Sequence, residues 1–148
     1  MRMRRMTTTL LAITLVLLLT AGIALAATVR GTAGNDTLRG TNGPDIMRGY
    51  AGSDTMSGGD GRHRMYGGSG HDVMRGNHHG DRMYGGPGAD VIDSGPGGDF
   101  VNVAGDAKRD SVSCGTARDT AVIDRADLLR ESFEDFVRRS SCENVTVP

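Results

Sequence analysis

Seven aspartates recur at multiples of nine residues through the middle of the chain: Asp36, Asp45, Asp54, Asp72, Asp81, Asp90 and Asp99. His63 stands in the one slot of that series without an acid. A row of carboxylates at fixed pitch suits one kind of chemistry. It gathers hard divalent cations, which take about six to eight oxygen ligands. It suits acid–base catalysis badly, because that needs two carboxyls in different surroundings. No HExxH motif, nucleophile elbow or phosphate-binding loop accompanies the row. The expectation is a metal-binding protein and not an enzyme.

The elements that position these acids follow from the same period. Cutting every nine residues from Gly31 gives eight gapless units, ending at Asn102. Position one is Gly in every unit except the last, which has Ser94, and position four is Gly except at His79. Position eight is always aliphatic or Met: Leu38, Met47, Met56, Met65, Met74, Met83, Ile92 and Val101. The last three residues of a unit read as a short strand with position eight inward and positions seven and nine outward. The six before it read as a turn, with glycine at one and four for φ > 0 or close backbone approach. Two units make one turn of a flattened solenoid, so the fold expected is an all-β parallel β-roll.

Units then alternate between two sheets. Odd units place Asp36, Asp54, Asp72 and Asp90 on one flank, and even units place Asp45, His63, Asp81 and Asp99 on the other. Neighbouring acids on a flank lie one strand spacing apart, about 4.8 Å. At that distance two carboxylates repel by about 3 kcal/mol at an effective dielectric near 20. A cation between turns relieves this, and an all-oxygen, flexible ligand set favours calcium over magnesium. The interior is thin and the glycine backbone is costly to order, so folding should depend on the ion.

Regularity fades after Asn102. Val103 and Ala104 are extra, and residues 105–113 and 114–122 keep the phase weakly, with Asp110 and Asp119 as weaker metal candidates. The roll is thus expected over 27–122, with regular repeats at 31–102 and degenerate units at 105–122. Residues 123–148 differ in character. Leu129, Phe133, Phe136 and Val137 recur at helical spacing, Asp124 reads as an N-cap, and a capping helix is expected over about 125–139. Cys114 and Cys142 are an even count in a chain read as exported, and are expected to form a disulfide.

Export is expected from the N-terminus. Arg2, Arg4 and Arg5 precede an apolar run from Leu10 to Ala24, and Ala24-Leu25-Ala26 forms a small-x-small cleavage site. Residues 1–26 read as a signal peptide, leaving a secreted, extracellular chain with no membrane span. Removing three Arg from 17 basic residues leaves 14 against 18 acids, a net charge of −4. That balance gives no sign of a nucleic-acid partner.

Two clusters stand apart from the acid rows. His63, His78 and His79 are weaker candidates for a transition-metal site on the even flank. On the even units' outer face, Arg64 and Arg82 at position seven lie beside Arg48, Tyr66 and Tyr84 at position nine. That face suggests an alternative role as a calcium-dependent adhesion module for a cell-surface polysaccharide or protein.

The units resemble the G-G-x-G-x-D-x-aliphatic-x nonapeptide of the RTX, or hemolysin-type, calcium-binding repeats. The resemblance covers 72 residues, from Gly31 to Asn102. It implies a parallel β-roll with calcium in the Gly/Asp turns. The chain is also similar to small exported proteins ending in a Cys-Gly-x-x-Arg-Asp-Thr segment and a Cys-Glu-x-Val segment, here Cys114–Thr120 and Cys142–Val145. It departs from the classical RTX toxins and proteases in carrying an N-terminal signal and no toxin or protease domain. Cytolytic and proteolytic activity is therefore not carried over.

Overall fold

The computed structural model describes residues 25–127 and 142–148. Among these, every regular element is a strand: β1 Thr28–Arg30, β2 Thr37–Arg39, β3 Ile46–Ala51, β4 Thr55–Asp60, β5 Arg64–Ser69, β6 Val73–His78, β7 Arg82–Tyr84, β8 Val91–Asp93, β9 Phe100–Asn102, β10 Ser111–Ser113, β11 Thr120–Val122 and β12 Asn144–Thr146. They form two parallel sheets wound into a β-solenoid of about five turns. Even-unit strands give the order β1-β3-β5-β7-β9-β11-β12, and odd-unit strands give β10-β8-β6-β4-β2. One coil takes 18 residues, as in Ile46↔Arg64 and Thr55↔Val73.

Between the sheets, aliphatic side chains stack in rows. Met47, Met65, Met83, Val101 and Ala121 are fully buried along one sheet, facing Met56, Met74 and Ile92 along the other. Methionine suits this slot, since its unbranched chain fills an irregular narrow space. The inward row is wider than the aliphatic position alone. Asp45, Met47 and Gly49 are all buried, because alternation along a strand sends positions six, eight and one to the same side. That shared alternation explains why β3 to β6 are six residues long and run into the next unit, beyond the short strands the repeat implies.

The two glycine positions meet the two expected demands separately. In the eight regular units position one has no positive φ, and its glycine is required by close approach. A side chain at Gly31 would start 2.7 Å from Asp36 Oδ2 and 2.7 Å from the Gly49 carbonyl oxygen. Left-handed backbone falls at position four in units three to six, from Gly52 (φ 102°) to His79 (φ 73°), and also at position two from the third unit onward, where even Tyr50 (φ 80°) and Asn77 (φ 74°) adopt it.

Val103 and Ala104 lengthen the last coil to 20 residues, as Val91↔Ser111 and Phe100↔Thr120 show. The insertion is absorbed without loss of pairing, and Val103 drops into the inner slot that glycine fills elsewhere. Beyond β11, Arg125–Asp127 form a turn, and the rest of the helix expected over about 125–139 lies outside the described residues. What does close this end is β12, paired parallel to β11, with Cys142 joined to Cys114 just before it.

Candidate metal centre

Position six does two things at once. Its Oδ1 accepts the backbone N–H of the position-six residue one coil earlier. On the odd flank Asp36, Asp54, Asp72, Asp90 and Asp110 each donate to the next acid at 2.7–2.8 Å, and the series ends on Asp127. On the even flank Ala27 donates to Asp45, Asp45 to His63 Nδ1 at 3.2 Å, His63 to Asp81, Asp81 to Asp99, and Asp99 to Asp119. One oxygen of each carboxylate is therefore a structural acceptor that holds adjacent coils in register.

The other oxygen is the chemically open one. Oδ2 of Asp54, Asp72, Asp90 and Asp110 on the odd flank, and of Asp81, Asp99 and Asp119 on the even flank, is buried with no hydrogen-bond partner. Buried polar atoms are nearly always satisfied, so a repeated orphan calls for a ligand. Each of these acids is at most 4 % exposed. Burial raises the pKa of Asp81 and Asp110 to about 7 and that of Asp90 and Asp99 to about 6, with neighbouring carboxylates adding to the rise. Asp72 and Asp119 are also raised by burial.

The first two units differ. Thr32 donates its N–H and hydroxyl to Asp36 Oδ2, and Thr41 does the same for Asp45. Burial pushes the Asp45 pKa up, but bonds from Thr41 and Ala27 outweigh it, and it ends below its ordinary value. From unit three onward position two has left-handed backbone, and its N–H makes no such bond to the acid of its own unit.

The donor set fits a hard cation. Each turn offers a buried carboxylate oxygen, and glycine at position one lets carboxylate and backbone carbonyl approach one another without a Cβ between them. Among the described residues, no three His, Cys, Asp or Glu side chains converge on one point. An ion here must draw much of its shell from carbonyls, which suits calcium and not zinc or copper.

Residues 30–62 and 66–101 match the family described as the RTX calcium-binding nonapeptide repeat, in four copies. These are RTX repeats. No curated protein and no solved structure matches the chain. RTX repeats bind calcium, and the family is a structural, non-catalytic one.

The structure places the three histidines differently from one another. His63 is buried in the even ladder with Nδ1 taken by the Asp45 N–H and Nε2 unpartnered. His78 lies exposed at the end of β6, with Nδ1 2.8 Å from Asp60 Oδ1. His79 occupies a glycine position with φ 73°. Among the described residues the three rings do not converge on one site: His78 runs on along the odd sheet, while the charge of His79 is felt at His63 in the even turn. Four contributors escaped the sequence. Ala27 heads the even ladder, and Thr28-Val29-Arg30 could have been recognised as a half-unit by its x-aliphatic-x pattern. Thr32 and Thr41 are readable as a side chain four residues before each acid. Asp127 lies 17 residues after Asp110, out of phase, and nothing in the repeat points to it.

Proposed function

We propose that this is an exported calcium-binding protein whose roll folds as it takes up the ion in its Gly/Asp turns. The observation that carries this is the repeated buried Oδ2 without a partner, in register along both flanks. Asp54, Asp72 and Asp90 on the odd flank and Asp81 and Asp99 on the even flank act as ligands through that oxygen, with backbone carbonyls of the turns completing the shell. Asp110 and Asp119 extend the series into the closing coils. Asp36 and Asp45 contribute less, because threonine already satisfies them. Calcium neutralises a line of carboxylates that otherwise repel, so its binding energy becomes folding energy.

Export rests on the basic n-region, the apolar run and the Ala24-Leu25-Ala26 site, and RTX proteins typically leave the cell. In this reading the roll spans Ala27 to the Asp124–Asp127 turn, and the segment through Cys142 closes it. Circular dichroism of the secreted protein tests the core claim. It should show disorder in chelator and β-structure in millimolar calcium, with magnesium far less effective. A β spectrum indifferent to chelator would overturn it.

A further inference from the structure

The outer face of the even sheet poses the same physical problem as the acid ladders, with the opposite sign. Arg30 lies in register opposite Arg48, and Arg64 opposite Arg82. Like charges on neighbouring rungs disfavour the sheet. Among the described residues, no carboxylate lies within ion-pair distance of any of the four. Each of the seven strands presents two outward residues at positions seven and nine or their equivalents, and none of these is acidic. The odd sheet, by contrast, presents Asp60 and Asp93. A chain of net charge −4 after residue 26 has therefore gathered uncompensated cations on one face.

Tyrosines fix the geometry between the two arginine pairs. Tyr66 and Tyr84 stack at 5.0 Å and 7°, and the Arg48 guanidinium lies 5.3 Å from the Tyr66 ring centre. The two rings cover each other's faces, so a ligand meets ring edges and phenolic hydroxyls. Beside them runs a groove of about 620 Å³ along the even flank, bordered by Arg62, Arg64 and Arg82. It exists because Pro44, Gly80 and Gly98, at position five of the other even units, send no long side chain across it. The acids beneath, Asp45, Asp81 and Asp99, are at most 3 % exposed, so the wall a ligand meets is cationic.

We propose that this face binds a linear acidic polysaccharide laid along the roll axis. Successive carboxylates of such a polymer meet guanidiniums one strand spacing apart, and its hydroxyls meet the tyrosine hydroxyls. The site borders the even calcium turns, whose acids lie buried beneath it, and rests on the calcium reading, because the arginines come into register only in the folded roll.

The test is calorimetric titration of the protein, purified as the cell produces it, in calcium. The probes are short oligogalacturonates, which carry the charge without forming a calcium gel. Neutral maltooligosaccharides and oligo-glutamate are the comparison arms. Oligogalacturonate should bind, the neutral sugar should not, and oligo-glutamate should bind about tenfold more weakly. The pair Arg64→Ala and Arg82→Ala should weaken binding about tenfold per residue without altering the calcium-induced β spectrum. Arg39→Ala with Arg75→Ala, on the odd sheet, should change nothing. Failure of the calcium-folded protein to bind oligogalacturonate overturns the proposal, as does equal binding of oligo-glutamate or equal loss in the odd-sheet variant. A chain that folds without calcium yet binds the sugar would instead sink the calcium reading and leave this one standing.

Discussion

The odd and even flanks are made from the same nonapeptide, yet they divide its tasks differently. On the odd flank six acids, from Asp36 to Asp127, follow one another without a break. The even flank starts at Ala27 and is interrupted at His63, where an imidazole nitrogen replaces the structural oxygen. Coils stay in register across the interruption, since β5 still pairs with β3 and β7. The difference separates two functions of position six. Holding the coils needs only an acceptor for one N–H, and a neutral imidazole supplies it. Holding a hard cation needs a second, anionic oxygen, and His63 offers a buried Nε2 instead.

The largest effect should come from removing an acid in the middle of the unbroken flank. Asp72→Ala deprives the buried Asp54 N–H of its acceptor, at a cost of about 1–3 kcal/mol. It also removes a carboxylate shared by two inter-coil sites. The calcium midpoint for folding should rise tenfold or more. Asp45→Ala removes an acid already satisfied by Thr41 and neighboured by His63, and should cost far less. Equal damage from the two substitutions in a calcium titration would refute the division between flanks.

Next in size is the bond that ties the last coils of the two sheets. Cys114 follows β10 of the odd sheet, and Cys142 precedes β12 of the even sheet, at a sequence separation of 28. Loop closure of that length contributes about 3–4 kcal/mol. Cys114→Ser with Cys142→Ser should lower stability in calcium by that amount, and thiol labelling of the denatured secreted protein should find no free cysteine. Two labelled thiols would refute the pairing.

Much of this was legible in the sequence because the repeat dictates it locally. Alternation within a strand and glycine at position one place the acids, the core row and both sheets. What could not be read came from contacts between coils. The satisfied state of Asp36 and Asp45 depends on Thr32 and Thr41 turning a hydroxyl back, where later units have left-handed backbone. The final rung at Asp127 is made by a turn outside the period, and β12 joins the even sheet only through chain that returns after residue 141. The left-handed φ at Tyr50 runs against local preference, whereas Asn77 belongs to a residue type that tolerates it.

Protons offer a milder perturbation of both flanks together. Asp90 and Asp110 on the odd side and Asp99 and Asp81 on the even side have folded pKa values of about 6 to 7, raised from 3.8 by burial. A group with a raised folded pKa binds more protons folded than unfolded. Without calcium it therefore favours the roll fully below about pH 4, and that contribution is lost as pH rises through about 6 to 7. With calcium the dependence reverses, because the ion displaces the protons. Apparent affinity should tighten as pH rises from 5.5, by up to about tenfold per pH unit for each proton displaced, and level off above about pH 7. Titration by circular dichroism at several pH values reads both slopes. A calcium midpoint constant across that range would show that these carboxyls are not the ligands.

The smallest effect, and the one that most directly sharpens the comparison, is repair of the even flank. His63→Asp restores an acid between Asp45 and Asp81. Its Oδ1 can take the Asp45 N–H that Nδ1 now accepts, so register should be kept. Its Oδ2 would join the unpartnered oxygens of Asp81 and Asp99, turning a defective stretch into one like the odd flank. Two terms oppose each other. In calcium the added carboxylate gains an ion; without calcium it adds a buried charge beside Asp45, where the imidazole, its own pKa lowered by burial, adds none at neutral pH. The variant should bind at least one more calcium per chain and be slightly more stable in calcium, by about 1 kcal/mol. Unchanged stoichiometry in calorimetry, with unchanged stability in calcium, would mean that His63 is not what limits the even flank. An added ion with the register of the coils kept is the signature that one oxygen of position six holds the coil and the other holds the ion.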